Sequence, residues 1–113
     1  MVDDRIPYHS AVARYTVQYE REAEGDLDFY GRKVEALVRA AVGRYLSDQP
    51  LPPVGHRKAL DTNPLGAPFR LRVADYRAFY RVDEARRVVY VLRVGYKPGE
   101  TLTLRGQAIP MRD

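Results

Sequence analysis

A chain of 113 residues has the length of one domain with one modest core. It has no cysteine, which excludes disulfides and thiolate metal sites and fits a reducing, cytoplasmic setting. The net charge of +4 divides unevenly: residues 1–53 carry seven Lys or Arg against nine Asp or Glu, whereas residues 54–113 carry twelve against six, so the second half is suited to an anionic partner.

In chain order, residues 1–13 have no period and carry Pro7 and Ser10, which predicts a loosely held arm ahead of a single domain over 14–113. MVDDRIPYHSAVAR has acidic residues and lacks an apolar stretch, so it does not read as a secretory leader. No apolar run approaches the roughly 20 residues that span a bilayer, and no membrane contact is expected. Tyr15, Val17 and Tyr19 alternate with polar residues, a first strand. Ala23 and Leu27 then take helical spacing, and Gly31 marks the join to a second helix. That helix carries Val34, Leu37, Val38, Ala41, Val42, Tyr45 and Leu46 on one stripe, with Arg32, Lys33, Glu35, Arg39 and Arg44 opposite. Pro50, Pro52 and Pro53 end it and open a long connection over 47–68, either a functional loop or a surface connector.

Three strands follow. Phe69, Leu71 and Val73 alternate with Arg70 and Arg72; Arg77, Phe79 and Arg81 alternate with Ala78, Tyr80 and Val82; and Val88–Val94 is a nearly continuous apolar run suited to a central position. TLTLRG reads as a short further strand and QAIPMRD as a fraying tail. The expected fold class is α+β: a small, mostly antiparallel sheet of about four strands in the order β-α-α-β-β-β, with two N-terminal helices on one face. The other face would be lined with arginine, a site for a polyanion such as RNA or for an acidic partner segment.

The chemistry of such a face is cationic. No Gly-rich phosphate loop precedes a helix, no cluster has metal-ligand spacing, and neither a metal nor another cofactor is expected. The two histidines, His9 in the arm and His56 beside Arg57 and Lys58, are read as solvent-exposed side chains. Guanidiniums bind phosphate bidentately and stabilise the pentacoordinate phosphorus formed when a ribose 2′-hydroxyl attacks, without a metal.

The run LRVADYRAFYRV followed by VLRVG resembles the RelE/ParE superfamily, toxins of bacterial type II toxin–antitoxin pairs, and the resemblance extends from about Tyr15 to Arg105. It implies a ribosome-dependent, metal-independent mRNA endonuclease that inhibits translation. By position it implies a catalytic strand pair in Arg70 and Arg72, a sheet arginine in Arg77 and a basic residue after the last core strand in Lys97. Arg57, Lys58, Arg81, Arg93 and Tyr96 would contact RNA. The sequence departs from the family pattern in having no tyrosine near Leu102-Thr103-Leu104 and arginines in place of both strand lysines; Tyr96 could supply a stacking platform. The alternatives are a ParE-like inhibitor of DNA gyrase and a non-catalytic module that binds an antitoxin and co-represses its operon. The implied partners are an antitoxin, the ribosome and mRNA or instead gyrase, and operator DNA reached only through the antitoxin. An antitoxin segment would cover the arginine face with Phe79, Tyr80 and Val91 as its apolar flank, or else clamp the helical face from Val34 to Leu46.

Overall fold

The structure, a computed structural model, describes residues 14–111; the arm expected over 1–13, with His9, lies outside the described residues. The chain runs β1 (Thr16–Tyr19), α1 (Arg21–Tyr30), α2 (Arg32–Leu46), β2 (Arg57–Ala59), β3 (Phe69–Val73), β4 (Tyr76–Asp83), β5 (Val88–Tyr96), β6 (Leu102–Leu104) and β7 (Gln107–Ile109). The class is α+β, as the alternation of apolar residues predicts. The sheet has seven strands rather than about four: β6 is the short further strand read in TLTLRG, whereas β2 arises in the proline-rich connection and β7 replaces the fraying tail expected over QAIPMRD, both held by pairing with a neighbour rather than by a period of their own.

The helices form where the sequence predicts and for the same reasons. Ala23, Asp26 and Leu27 give α1 a buried stripe, and Glu22 and Glu24 in its first turn complement the helix dipole. Gly31, at φ 98°, takes a backbone conformation that L side chains avoid, and its N–H caps the Leu27 carbonyl at 3.0 Å. The chain then re-enters helix at once. Val38, Val42 and Leu46 of α2 are buried at intervals of one turn, while Leu37, expected on the same stripe, is 45% exposed.

Strands β2 to β7 pair antiparallel in sequence order, and β1 adds in parallel to β5. The β1 pairing runs from Thr16↔Val88 to Tyr19↔Val91, and β6 meets the same strand only at Tyr96↔Thr103. Between them lies a stretch of β5 paired on that side by neither strand. Asp26 fills the gap. Its carboxylate, fully buried, accepts the Val94 N–H at 2.8 Å, Nε and Nη2 of Arg93 at 2.9 and 3.0 Å, and Arg105 Nε at 2.8 Å. Four donors satisfy one carboxylate, which is how a buried charge is tolerated.

The helix-covered face holds the larger core, in which Leu27, Val38, Leu46, Leu71, Tyr80, Val89, Val91 and Val94 are buried. A second cluster of Ala67, Phe79 and Leu102 is also buried, with Leu60, Leu65, Leu92, Ile109 and Met111 packed around it. The single expected core is therefore two. Burying each large side chain contributes roughly 1.5–3 kcal/mol, so the second cluster is a substantial attachment for the 60–67 loop and the β6–β7 hairpin. An irregularity between Phe79 and Tyr80 makes room for it: Phe79 pairs with Arg93 and Tyr80 with Val91, leaving Leu92 as an extra residue.

Candidate nucleic-acid interface

Register places the cations in rungs. Lys58 sits opposite Arg70, which sits opposite Phe79; one rung along, Arg72 sits opposite Arg77. Their neighbours Leu71, Val73, Ala78 and Tyr80 belong to the helix-side core, so alternation turns Lys58, Arg70, Arg72 and Arg77 to the other face. The rungs are roughly 6.8 Å apart along the strand. Like charges directly opposite destabilise a sheet by up to about 1 kcal/mol each. Two such rungs side by side concentrate positive charge on this face.

Local bonds hold these side chains in place. Arg70 Nη1 donates to the His56 carbonyl at 2.9 Å, and Arg77 Nη1 to the carbonyls of Ala74 and Tyr76 at 3.2 and 3.1 Å. The Arg72 guanidinium is exposed and makes no hydrogen bond or ion pair among the described residues. The turn after β3 holds Ala74 at φ 54°, and its Asp75 carbonyl accepts the Lys97 N–H at 2.6 Å, so Lys97 stands at the end of the sheet beside the turn that orients Arg77. Arg81 continues the line of Arg77 along β4, its guanidinium 4.0 Å above the Tyr90 ring.

Three residues expected to contact RNA stand elsewhere. Arg57 alternates with Lys58 and turns to the helix side, where Nη2 donates to the Tyr45 carbonyl in the last turn of α2 at 3.3 Å and Nη1 to the Val54 carbonyl at 3.0 Å. It satisfies a carbonyl that a helix end leaves open. Arg93 is held by Asp26, and hydrogen bonding to that carboxylate pushes its pKa above the ordinary value. The ring of Tyr96 packs 5.0 Å from Tyr76, itself 5.4 Å from Tyr30, so it belongs to an aromatic row at the end of the helix side. The expected apolar flank for a partner is also unavailable: Phe79, Tyr80 and Val91 are fully buried, Phe79 in the second cluster and the other two in the main core. The large exposed apolar side chains among the described residues are Phe29, Leu37 and Val54.

Sequence reasoning set His56 aside, and the structure ties its backbone to the strand arginines while its ring lies 5.2 Å from that of Tyr45. Its carbonyl also accepts the Arg72 N–H at 2.8 Å, so it continues the β2–β3 ladder by one position beyond Arg57↔Leu71. The signal was its spacing of two from Lys58, legible only once β2 is recognised as a strand.

A sheet face with paired arginine rungs, two helices on the reverse and a basic residue after the central strand define a class of small toxin. A chain of the crystal structure of the RelBE2 toxin–antitoxin complex from Mycobacterium tuberculosis superposes with a TM-score of 0.66 at 30% sequence identity, covering 78% of this chain and 97% of that one. This protein belongs to the RelE/ParE toxin superfamily. No family model matches the sequence, and no curated protein matches it. Among the described residues no helix is long and apolar enough to cross a membrane.

Proposed function

We propose that this protein is the toxin of a type II toxin–antitoxin module and cuts mRNA on the ribosome. The observation that carries this reading is the pair of like-charge rungs, Lys58 opposite Arg70 and Arg72 opposite Arg77, built across β2, β3 and β4 at one side of the sheet. Arg70 and Arg72 would bind phosphates of the bound strand, Arg77 and Lys97 would neutralise charge on the reacting phosphorus, and Lys58 and Arg81 would extend the track. Purified protein is expected to cut translated mRNA when ribosomes are present. Arg72→Glu separates function from fold: an opposite-charge rung with Arg77 should leave stability unchanged or raise it by roughly 0.2–1 kcal/mol, while cleavage is lost. Full cleavage by this variant would place the site elsewhere.

The second reading, a gyrase inhibitor, is favoured by one feature. The segment where the nuclease resemblance asks for a tyrosine is strand β6, and its Leu102 and Leu104 are buried. Inhibition of DNA supercoiling with mRNA left intact would decide for it. An antitoxin partner follows from either reading. Because Phe79, Tyr80 and Val91 are covered, its apolar contacts fall to exposed side chains such as Leu37, with acidic side chains against the arginine rungs. Its affinity should therefore fall in part with salt.

A further inference from the structure

The second core cluster lies on the arginine face, because its Phe79 sits opposite Arg70 and two residues from Arg77. It also ends the cationic track. The Leu60 N–H donates to the Pro68 carbonyl at 2.9 Å, so the β2–β3 ladder continues past Lys58↔Arg70 to a rung of Leu60 and Pro68. That rung borders a cavity of about 350 Å³, lined in part by Leu60, Asp61, Thr62, Ala67 and Pro68, a size suited to a small ligand. Asn63 holds its frame. The Asn63 amide donates to the carbonyls of Asp61 and Ala67, both at 2.8 Å, and accepts the N–H groups of Leu65 and Ala67 at 3.0 and 3.3 Å. Its donors and acceptors are thereby used up. The exposed Asp61 carboxylate and Thr62 hydroxyl, by contrast, make no hydrogen bond or ion pair among the described residues.

A carboxylate at the end of a cationic track repels phosphate and asks for hydrogen-bond donors. Single-stranded RNA offers them on its unstacked bases. Of the four bases, guanine presents two N–H groups side by side on one edge, at N1 and N2. Adenine and cytosine set an acceptor nitrogen beside their amino group, and uracil flanks its single N–H with carbonyls. We propose that this cavity takes an unpaired guanine of the bound RNA, its ring against Leu60 and Pro68 and its N1–H and N2–H donating to the Asp61 carboxylate. The proposal deepens the nuclease reading above and rests on it. The guanine lies two rungs, roughly 14 Å, from Arg77, so it is recognised at a fixed offset from the bond that is cut.

The test is cleavage, on ribosomes, of mRNA with a randomised reading frame by wild-type, Asp61→Ala and Asp61→Asn proteins, with the new ends sequenced. Wild-type cuts are expected to carry guanine at one fixed position at least ~10-fold more often than uracil. Asp61→Ala should carry the two equally often. Asp61→Asn should shift the preference to adenine or cytosine, whose donor beside an acceptor pairs with an amide. A merely structural role for Asp61 would not exchange one base for another. Wild-type cuts without a guanine preference, or a preference that survives Asp61→Ala, overturn the proposal and leave the nuclease reading standing. Wild-type protein that leaves translated mRNA intact overturns both.

Discussion

Asp26→Asn should unfold this protein more readily than any surface substitution. The asparagine keeps the shape of the side chain but removes the charge and turns one acceptor into a donor. That donor would face groups that are all donors themselves: two arginines and the Val94 N–H. Removing one partner of a buried pair costs about 3–5 kcal/mol, because the other charge stays behind uncompensated. The Arg93 side chain is 23% exposed and Arg105 is 39% exposed, so water recovers part of the loss, most of it at Arg105. An estimate of about 3 kcal/mol follows. A domain of this length has roughly 6–17 kcal/mol in all, and the melting temperature should drop by roughly 10–15 °C. Urea titration followed by circular dichroism would read the change. The double variant with Arg105→Met should fall short of the sum of the singles by about 1 kcal/mol, since both act on one carboxylate. A loss below about 1 kcal/mol for Asp26→Asn, or strict additivity, would refute the reasoning.

Arg57 and Lys58 are neighbours with opposite expected phenotypes. Arg57→Met should lower stability by about 1 kcal/mol through the open Tyr45 carbonyl and leave ribosome binding intact, whereas Lys58→Met should do the reverse; urea midpoints and co-sedimentation separate them. Alkaline pH should destabilise the fold through Tyr80, whose pKa burial pushes up to about 12 from an ordinary 10.0 and whose hydroxyl donates to the Pro50 carbonyl. The folded state then holds this proton more tightly than the unfolded state. Its contribution is complete below about pH 10 and lost as pH rises toward 12, by about 1.4 kcal/mol per unit. Burial raises Tyr19, Tyr30 and Tyr76 in the same direction. Urea midpoints measured from pH 9 to 12 should fall steeply for wild type and less so for Tyr80→Phe.

The helices and the three long strands were legible because their apolar residues recur at one period for five residues or more, as in Phe69–Val73 or Val38, Val42 and Leu46. Strand β2 was not, since three residues between prolines carry no period and exist as a strand only through their pairing with β3. That omission hid two placements: Arg57 and Lys58, read as one basic patch, point to opposite faces. Arg93 was misplaced for a different reason. Its partner Asp26 lies on α1, 67 residues earlier, and no period in the sequence links the two. Asp26 gave no signal at all. Among the acidic residues of α1, only tertiary contact with β5 and Arg105, 79 residues away in sequence, distinguishes it.

The shared edge of β5 has a consequence for how the protein is made. One stretch of that strand needs β1 from the beginning of the chain, its far end needs β6 from the other extremity, and Asp26 joins α1 to both regions. Contacts this distant in sequence form late. A growing chain that has reached Arg93 has both arginine rungs but not yet the hairpin that covers Phe79. The unfinished polypeptide therefore exposes apolar surface instead of presenting a closed basic face. The cationic rungs reach their fixed geometry only once the β6–β7 hairpin has packed over Phe79.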